Sequence, residues 1–299
     1  MTDFFKYHYR AYGLNIASQI HVVGFDAISA EMPDVTIKEG KVIENLDNII
    51  NNSKLFQSND HEFLLRFDPV GAFYVGEGNS IIIQRNDRTT DSDVSSCLTG
   101  ICFGAVLHQR KLLPIHASTV IINNKCLVFA GVSGAGKTTT TVAMIKAGGT
   151  LVADDVSVID FSGAKPSVRP AFPAVKIWAD SLSHLGIPVK GLVPVRGEIQ
   201  KYYLPVERFS GKPAAIDHLI ILNKNNVPDF AFESIRGAEK FRLIKKYTYL
   251  FSGIPKTGLE INHFQLANRL VTEVPVSSLI RPIGGFDTDR LIEFISKNV

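Results

Sequence analysis

Cys126-Leu-Val-Phe-Ala-Gly-Val-Ser-Gly-Ala-Gly-Lys-Thr138 is an apolar run that ends in a glycine-rich turn carrying one lysine and one hydroxyl residue. The spacing Gly-x-x-x-x-Gly-Lys-Ser/Thr is met by Gly131, Gly136, Lys137 and Thr138. A strand-like run precedes it and a helix-like run, Thr139-Thr-Thr-Val-Ala-Met-Ile-Lys-Ala147, follows it. Glycines at 131, 134 and 136 let the chain take positive φ and keep Cβ atoms away from a phosphate oxygen approaching the backbone amides. Amides at a helix N-terminus favour an anion. Lys137 suits the β- and γ-phosphates, and the Thr138 hydroxyl suits the hard-oxygen shell of Mg²⁺. A chance glycine-rich turn would not also supply the strand before and the helix after. The expected nucleotide-binding set is Gly131, Ser133, Gly134, Ala135, Gly136, Lys137, Thr138 and Thr139.

Gly148-Gly149 closes the helix, and Thr150-Leu-Val-Ala-Asp-Asp-Val-Ser-Val-Ile159 reads as a β-branched strand interrupted by two adjacent carboxylates. Neighbours on a strand point to opposite faces, so the bland reading gives one aspartate to solvent and the other to a turn. A strand this apolar excludes both charges unless they have partners. A bound Mg²⁺ and a substrate hydroxyl would be such partners.

With His116-Ala-Ser118 upstream, three segments follow in close order: Ile115-His-Ala-Ser-Thr-Val120, Gly131-Val-Ser-Gly-Ala-Gly-Lys-Thr-Thr139 and Leu151-Val-Ala-Asp-Asp155. In these the sequence resembles the HPr kinase/phosphorylase-like P-loop kinases. The resemblance runs from about Leu98 to Asp160, thins toward the C-terminus and is faint in the first third. It implies an α/β fold of the HPr kinase type, with a P-loop catalytic domain over residues 96–299 and a β-rich N-terminal domain over 1–95. It also implies ATP and Mg²⁺ as cofactors and a serine hydroxyl of a peptide, a protein or free serine as acceptor. Similar proteins include kinases that tailor ribosomally made peptides. The implied catalytic residues are Asp154 as base, His116 orienting a carboxylate and Lys137 on the phosphates, with Thr138 and Asp155 at the metal. The two aspartates can exchange roles without altering the pattern. HPr kinases proper carry Glu in a Glu-Ile-Arg-Gly-Leu-Gly segment after the pair, whereas Phe172 or Pro173 stands at the comparable place here. Phosphoserine phosphorolysis, ATP hydrolysis and a non-catalytic nucleotide sensor are the alternative readings. The aspartate pair speaks against the sensor, since binding alone needs no base.

At 299 residues and 45% hydrophobic composition the chain can bury a substantial core. A net charge of +3, from 32 basic and 29 acidic residues, gives no electrostatic case for a nucleic-acid or membrane partner. The start lacks the apolar stretch of a signal peptide, and no run reaches the length of a membrane span. The three cysteines, Cys97, Cys102 and Cys126, sit in apolar surroundings as core thiols, which fits a cytoplasmic setting. A homo-oligomer is compatible with this composition.

Outward from the turn, the first ninety residues read as strands and turns, with a hairpin at Val35–Val42, and Arg85–Asp93 is a polar break. Ser95–Arg110 has helical spacing, Pro114–Ile122 reads as one strand containing His116, and Asn123-Asn124 is a hairpin turn. A lone histidine in an apolar strand is more often a core residue than a catalytic one. Arg169–Gly186 is a proline-punctuated loop leading into a short helix with the single tryptophan. Arg196, Glu198 and Lys201 form either an exposed charged hairpin or a clamp on the transferring phosphoryl group. Helices are expected over Ala238–Leu250, Phe264–Glu273 and Asp287–Lys297.

Overall fold

The computed structural model describes residues 5–197, 199–283 and 287–299. Among these residues it is a mixed α/β protein with four sheets. The strand Lys125–Ala130 lies inside a six-stranded sheet whose order is Thr150–Ala153, Ala117–Ile122, Lys125–Ala130, His218–Asn225, Val276–Pro282, Ala231–Ser234. It pairs antiparallel with Ala117–Ile122 through a two-residue turn and parallel with His218–Asn225. Asn123 and Asn124 both take positive φ, 50° and 61°, the backbone that matches the twist of a tight hairpin.

Both faces of this sheet are covered, which is why its strands read as continuous apolar runs. Leu127 and Phe129 pack with Met144, Leu291 and Ile295 from the helices Lys137–Lys146 and Thr288–Asn298. Cys126, Val128 and Ala130 face the opposite core, which also takes Leu243 and Ile244 from Ala238–Tyr247 and Ala267 and Leu270 from Leu259–Glu273. Cys97, Cys102 and Cys126 are free and buried, and burial pushes all three thiols up, Cys97 to about 11 and Cys126 to about 12.

The N-terminal part is a nine-stranded sheet. Val35–Glu39 is not a hairpin arm: it pairs parallel with Leu14–Ser18 on one side and with Ser80–Arg85 on the other. Thr90 ends the polar break as the N-cap of the helix Asp91–Cys97, in a reciprocal capping box with Asp93. The helix expected after the break runs as Asp91–Cys97 and Phe103–Gln109, joined by a π-helical turn at Leu98–Cys102. The two sides of residue 95 share one core. Tyr12 lies 5.3 Å from Phe103, and Phe25 lies 5.4 Å from Phe172, between ring centroids.

Two buried histidines tie the helices behind the sheet. His108 Nε2 donates to the Tyr249 carbonyl at 2.7 Å. The Thr248 hydroxyl gives its proton to the Ile244 carbonyl, so His263 Nε2, 2.8 Å from Thr248 Oγ1, is the donor there. Burial holds both imidazoles down at about 4. The unfolded chain takes up these protons near the ordinary value of about 6.5, the folded chain only near 4. Stability is therefore expected to fall as pH drops from about 6.5 to 4, by on the order of 3 kcal/mol for each histidine at full shift. Urea unfolding across that range measures the slope, which His108→Gln and His263→Gln should each flatten; an unchanged slope in both would exclude the two imidazoles as its source.

Candidate active site at the glycine-rich turn

Gly131 leaves the strand where the neighbouring chain comes very close: a Cβ there would sit 2.7 Å from the Leu222 carbonyl oxygen. Gly136 takes φ 102° as the N-cap of the helix Lys137–Lys146, a backbone that side chains resist. Between them Val132, Ser133 and Gly134 form an exposed crest. The turn is braced from beneath, since Lys137 Nζ donates to the Gly131 carbonyl at 2.8 Å and Arg281 Nε to the Ala135 carbonyl at 3.0 Å. Burial pushes the Lys137 ammonium down, and Asp155 and Asp154 oppose that. Thr139 Oγ1 is spent on Ser181 Oγ at 2.9 Å.

The carboxylate strand ends earlier than its apolar pattern suggests, at Ala153. Asp155 then takes a left-handed φ of 69°, which aspartate tolerates better than most residues. The chain turns tightly, with Val156 N donating to the Asp154 carbonyl at 2.8 Å, before it joins a different sheet as Ser157–Asp160. This kink removes the alternation of a strand, and both carboxylates reach the groups around the turn.

They meet different surroundings. Asp154 is 2% exposed, and its Oδ1 accepts from Ser118 Oγ at 2.6 Å and Thr138 Oγ1 at 3.2 Å, while Oδ2 accepts from the Lys176 amide at 2.9 Å. Asp155 faces a cavity of about 380 Å³ that Lys137, Thr138, Gly134, His116 and Lys176 also line. Lys176 Nζ lies 3.1 Å from Asp155 Oδ2. Burial raises the Asp155 carboxyl, but Lys176, Lys201 and His116 outweigh it and hold the group well below the usual carboxylate range. A larger open cleft of about 650 Å³, between His218, Arg236 and Thr272, lies apart from all of these groups.

His116 is not inside a strand. It is the junction between Leu113–Ile115, which belongs to the four-stranded sheet, and Ala117–Ile122 in the central sheet. Its Nδ1 donates to the Asp155 backbone carbonyl at 2.9 Å and stands 3.5 Å from Asp155 Oδ1. The ring rests against Tyr249, 5.7 Å away between centroids. Burial lowers its basicity, and Asp155 partly restores it.

Of the charges read as a clamp, Lys201 and Arg196 separate. Lys201 lines the cavity, its Nζ 5.7 Å from the centre of the Trp178 ring, whereas Arg196 lies over Phe67 at 5.1 Å. Glu198 falls outside the described residues. Phe172 is core, and the charge that the strand Ala174–Trp178 brings to the cavity is Lys176, beside Trp178. Lys176 was not among the sequence candidates. The available signal was a lone charge in an apolar strand, the same signal that singled out the aspartates.

Among the described residues no three His, Cys, Asp or Glu side chains converge as a metal-ligand group. The hard-oxygen pair beside the turn is Thr138 Oγ1 and Asp154 Oδ1, 3.2 Å apart. That donor set fits Mg²⁺, which keeps several waters and takes one or two carboxylates together with substrate phosphates. Among the described residues no helix is long and apolar enough to cross a membrane.

No family model and no curated protein matches the chain. Among solved structures, the HPr(Ser) kinase/phosphatase from Coxiella burnetii is similar over 62% of this chain and 94% of that chain, with 13% sequence identity and a TM-score of 0.33.

Proposed function

We propose that the chain is an ATP-dependent phosphotransferase that moves the γ-phosphoryl group to a serine hydroxyl of a peptide, a protein or free serine. The observation that supports it is the convergence on one cavity of an exposed glycine crest at a helix N-terminus, a buried lysine, a hydroxyl beside a carboxylate, and a second carboxylate held ionised. A sensor needs the first of these features and has no use for the last.

In this reading the crest Val132–Gly134 and the amides leading into Lys137 bind the phosphates, and Lys137 turns from its loop carbonyls to the β- and γ-oxygens. Thr138 and Asp154 would hold Mg²⁺, which neutralises charge on the phosphates when bound. Asp155 accepts the proton of the acceptor hydroxyl. The allotment of the two aspartates is thus the reverse of the one the sequence resemblance implies. Asp154 is buried with both oxygens engaged beside Thr138, and Asp155 faces the cavity. His116 orients Asp155 through its backbone carbonyl, which makes the imidazole a positioning residue.

The test is transfer of labelled γ-phosphate from ATP with Mg²⁺ to free serine and to a library of serine-containing peptides. Label is expected on a serine oxygen of at least one acceptor class, and only in the presence of metal. Nucleotide binding with no label on any acceptor and no release of inorganic phosphate would sink the reading and favour a sensor.

A further inference from the structure

Lys176 is a buried cation on the wall of the proposed phosphoryl-transfer cavity, and the reaction as written gives it no work. It sits in the middle of the strand Ala174–Trp178 and grips both carboxylates, Asp154 through its main-chain amide at 2.9 Å and Asp155 through its ammonium at 3.1 Å. Its side chain is 5% exposed. An ammonium carries three N–H donors, and buried donors find acceptors. Among the described residues the hydrogen bond to Asp155 is the one its ammonium makes, so two donors remain beside a cavity that Lys137 and Thr138 also line.

A counter-ion for Asp155 alone is a poor account of this lysine. Buried ion pairs add little stability over apolar residues of similar volume, because desolvation of both charges offsets their attraction. Nor do its cationic neighbours fill the same place. Arg281 is committed to the Ala135 carbonyl under the turn, and Lys201 stands off at the exposed Trp178 ring.

We propose that Lys176 is a further catalytic residue, whose ammonium donates to a γ-phosphoryl oxygen of the bound nucleotide while keeping its bond to Asp155. The proposal rests on the phosphotransferase reading. In the step, the acceptor hydroxyl oxygen forms a bond to the γ-phosphorus as the bond from that phosphorus to the β–γ bridging oxygen breaks. The bonding pair leaves with the diphosphate, and the hydroxyl proton goes to Asp155. Lys176 occupies Oδ2 and so leaves Oδ1 to receive that proton; it gains and loses none itself. One fixed cation thereby ties the base to the phosphorus, which is positioning and charge stabilisation together.

The test compares affinities for a triphosphate with a non-hydrolysable β–γ bridge and for ADP, both with Mg²⁺, in the full chain and in Lys176→Met. Wild type should prefer the triphosphate. A hydrogen bond between charged groups corresponds to about ten- to hundredfold in affinity, so Lys176→Met should lose about that much of the preference while its ADP affinity stays near wild type. Lys176→Arg should recover part of it. A purely structural lysine would change both affinities together or neither, and a retained preference in folded Lys176→Met would overturn the proposal. So would a wild type that does not distinguish the two nucleotides. Should Lys176→Met fail to fold, Lys176→Met combined with Asp155→Asn removes both charges, and the same ratio is read there. Failure of wild type to bind either nucleotide would instead overturn the phosphotransferase reading itself.

Discussion

Lys137→Ala is expected to abolish phosphoryl transfer and leave the fold standing. The Lys137 ammonium lies folded onto its own loop, 2.8 Å from the Gly131 carbonyl and 3.4 Å from that of Val132. These bonds hold the charge ready where phosphate oxygens would replace the carbonyls. Burial already disfavours the ammonium, so removing it relieves a desolvation cost. The loop keeps the brace from Arg281 and the helical bond from Thr140 N to the Gly136 carbonyl at 2.8 Å. A melting temperature within a few degrees of wild type follows. Turnover should fall at least about 10²–10³-fold, the usual loss when one pre-organised donor to developing charge is removed. The label-transfer assay combined with a thermal melt decides it. Transfer at the wild-type rate in a folded variant would take the glycine-rich turn out of the mechanism.

The turn was legible because its chemistry constrains the sequence at every step. Gly131 has no room for a Cβ, Gly136 needs positive φ, and the strand before them is buried on both faces. Leu222 and the covering helices impose the first and the last of these from far along the chain, yet each demand leaves its mark locally, as a glycine or as a continuous apolar run. Val35–Glu39 shows the opposite case. Its alternation of apolar and polar residues is the same in a hairpin arm and in a strand laid parallel between two others, and only packing with Leu14–Ser18 and Ser80–Arg85 decides. The break at His116 is likewise tertiary: no glycine or proline lies between Ile115 and Ile122, but the amide of His116 is drawn to the Tyr247 carbonyl at 2.7 Å and the chain changes sheets there. Two features of the site were hidden for a similar reason. The left-handed turn at Asp155 puts adjacent aspartates to use together, against the alternation that a strand implies. Lys176 lies in a segment whose prolines spell a loop, and they mask Val175 and Ile177 as the buried strand that makes its charge informative.

Asp155→Asn and Asp154→Asn should fail in different ways, and the difference assigns the two carboxylates. Asparagine at 155 keeps an oxygen for the Lys176 ammonium but takes away the charge that compensates it. Removing one partner of a buried ion pair costs about 3–5 kcal/mol, so this variant is expected to melt lower and must be compared at equal folded fraction. Its affinity for Mg²⁺ and a non-hydrolysable nucleotide should stay within a few-fold of wild type. Its turnover should drop by about 10²–10⁴-fold, the range of a lost general base. Asparagine at 154 meets a different set of partners. One amide oxygen still serves the Lys176 amide, and the amide nitrogen can donate to Ser118 and Thr138, whose hydroxyls rotate to accept. Folding therefore survives, while the negative charge beside Thr138 that would hold the metal is gone. Titration with the same nucleotide should show affinity that no longer rises on addition of Mg²⁺. The opposite pattern, metal-dependent affinity lost at 155 and kept at 154, would place Asp155 in the metal shell and return the base to Asp154. Normal binding and turnover in both would make the pair structural and take both carboxylates out of the mechanism.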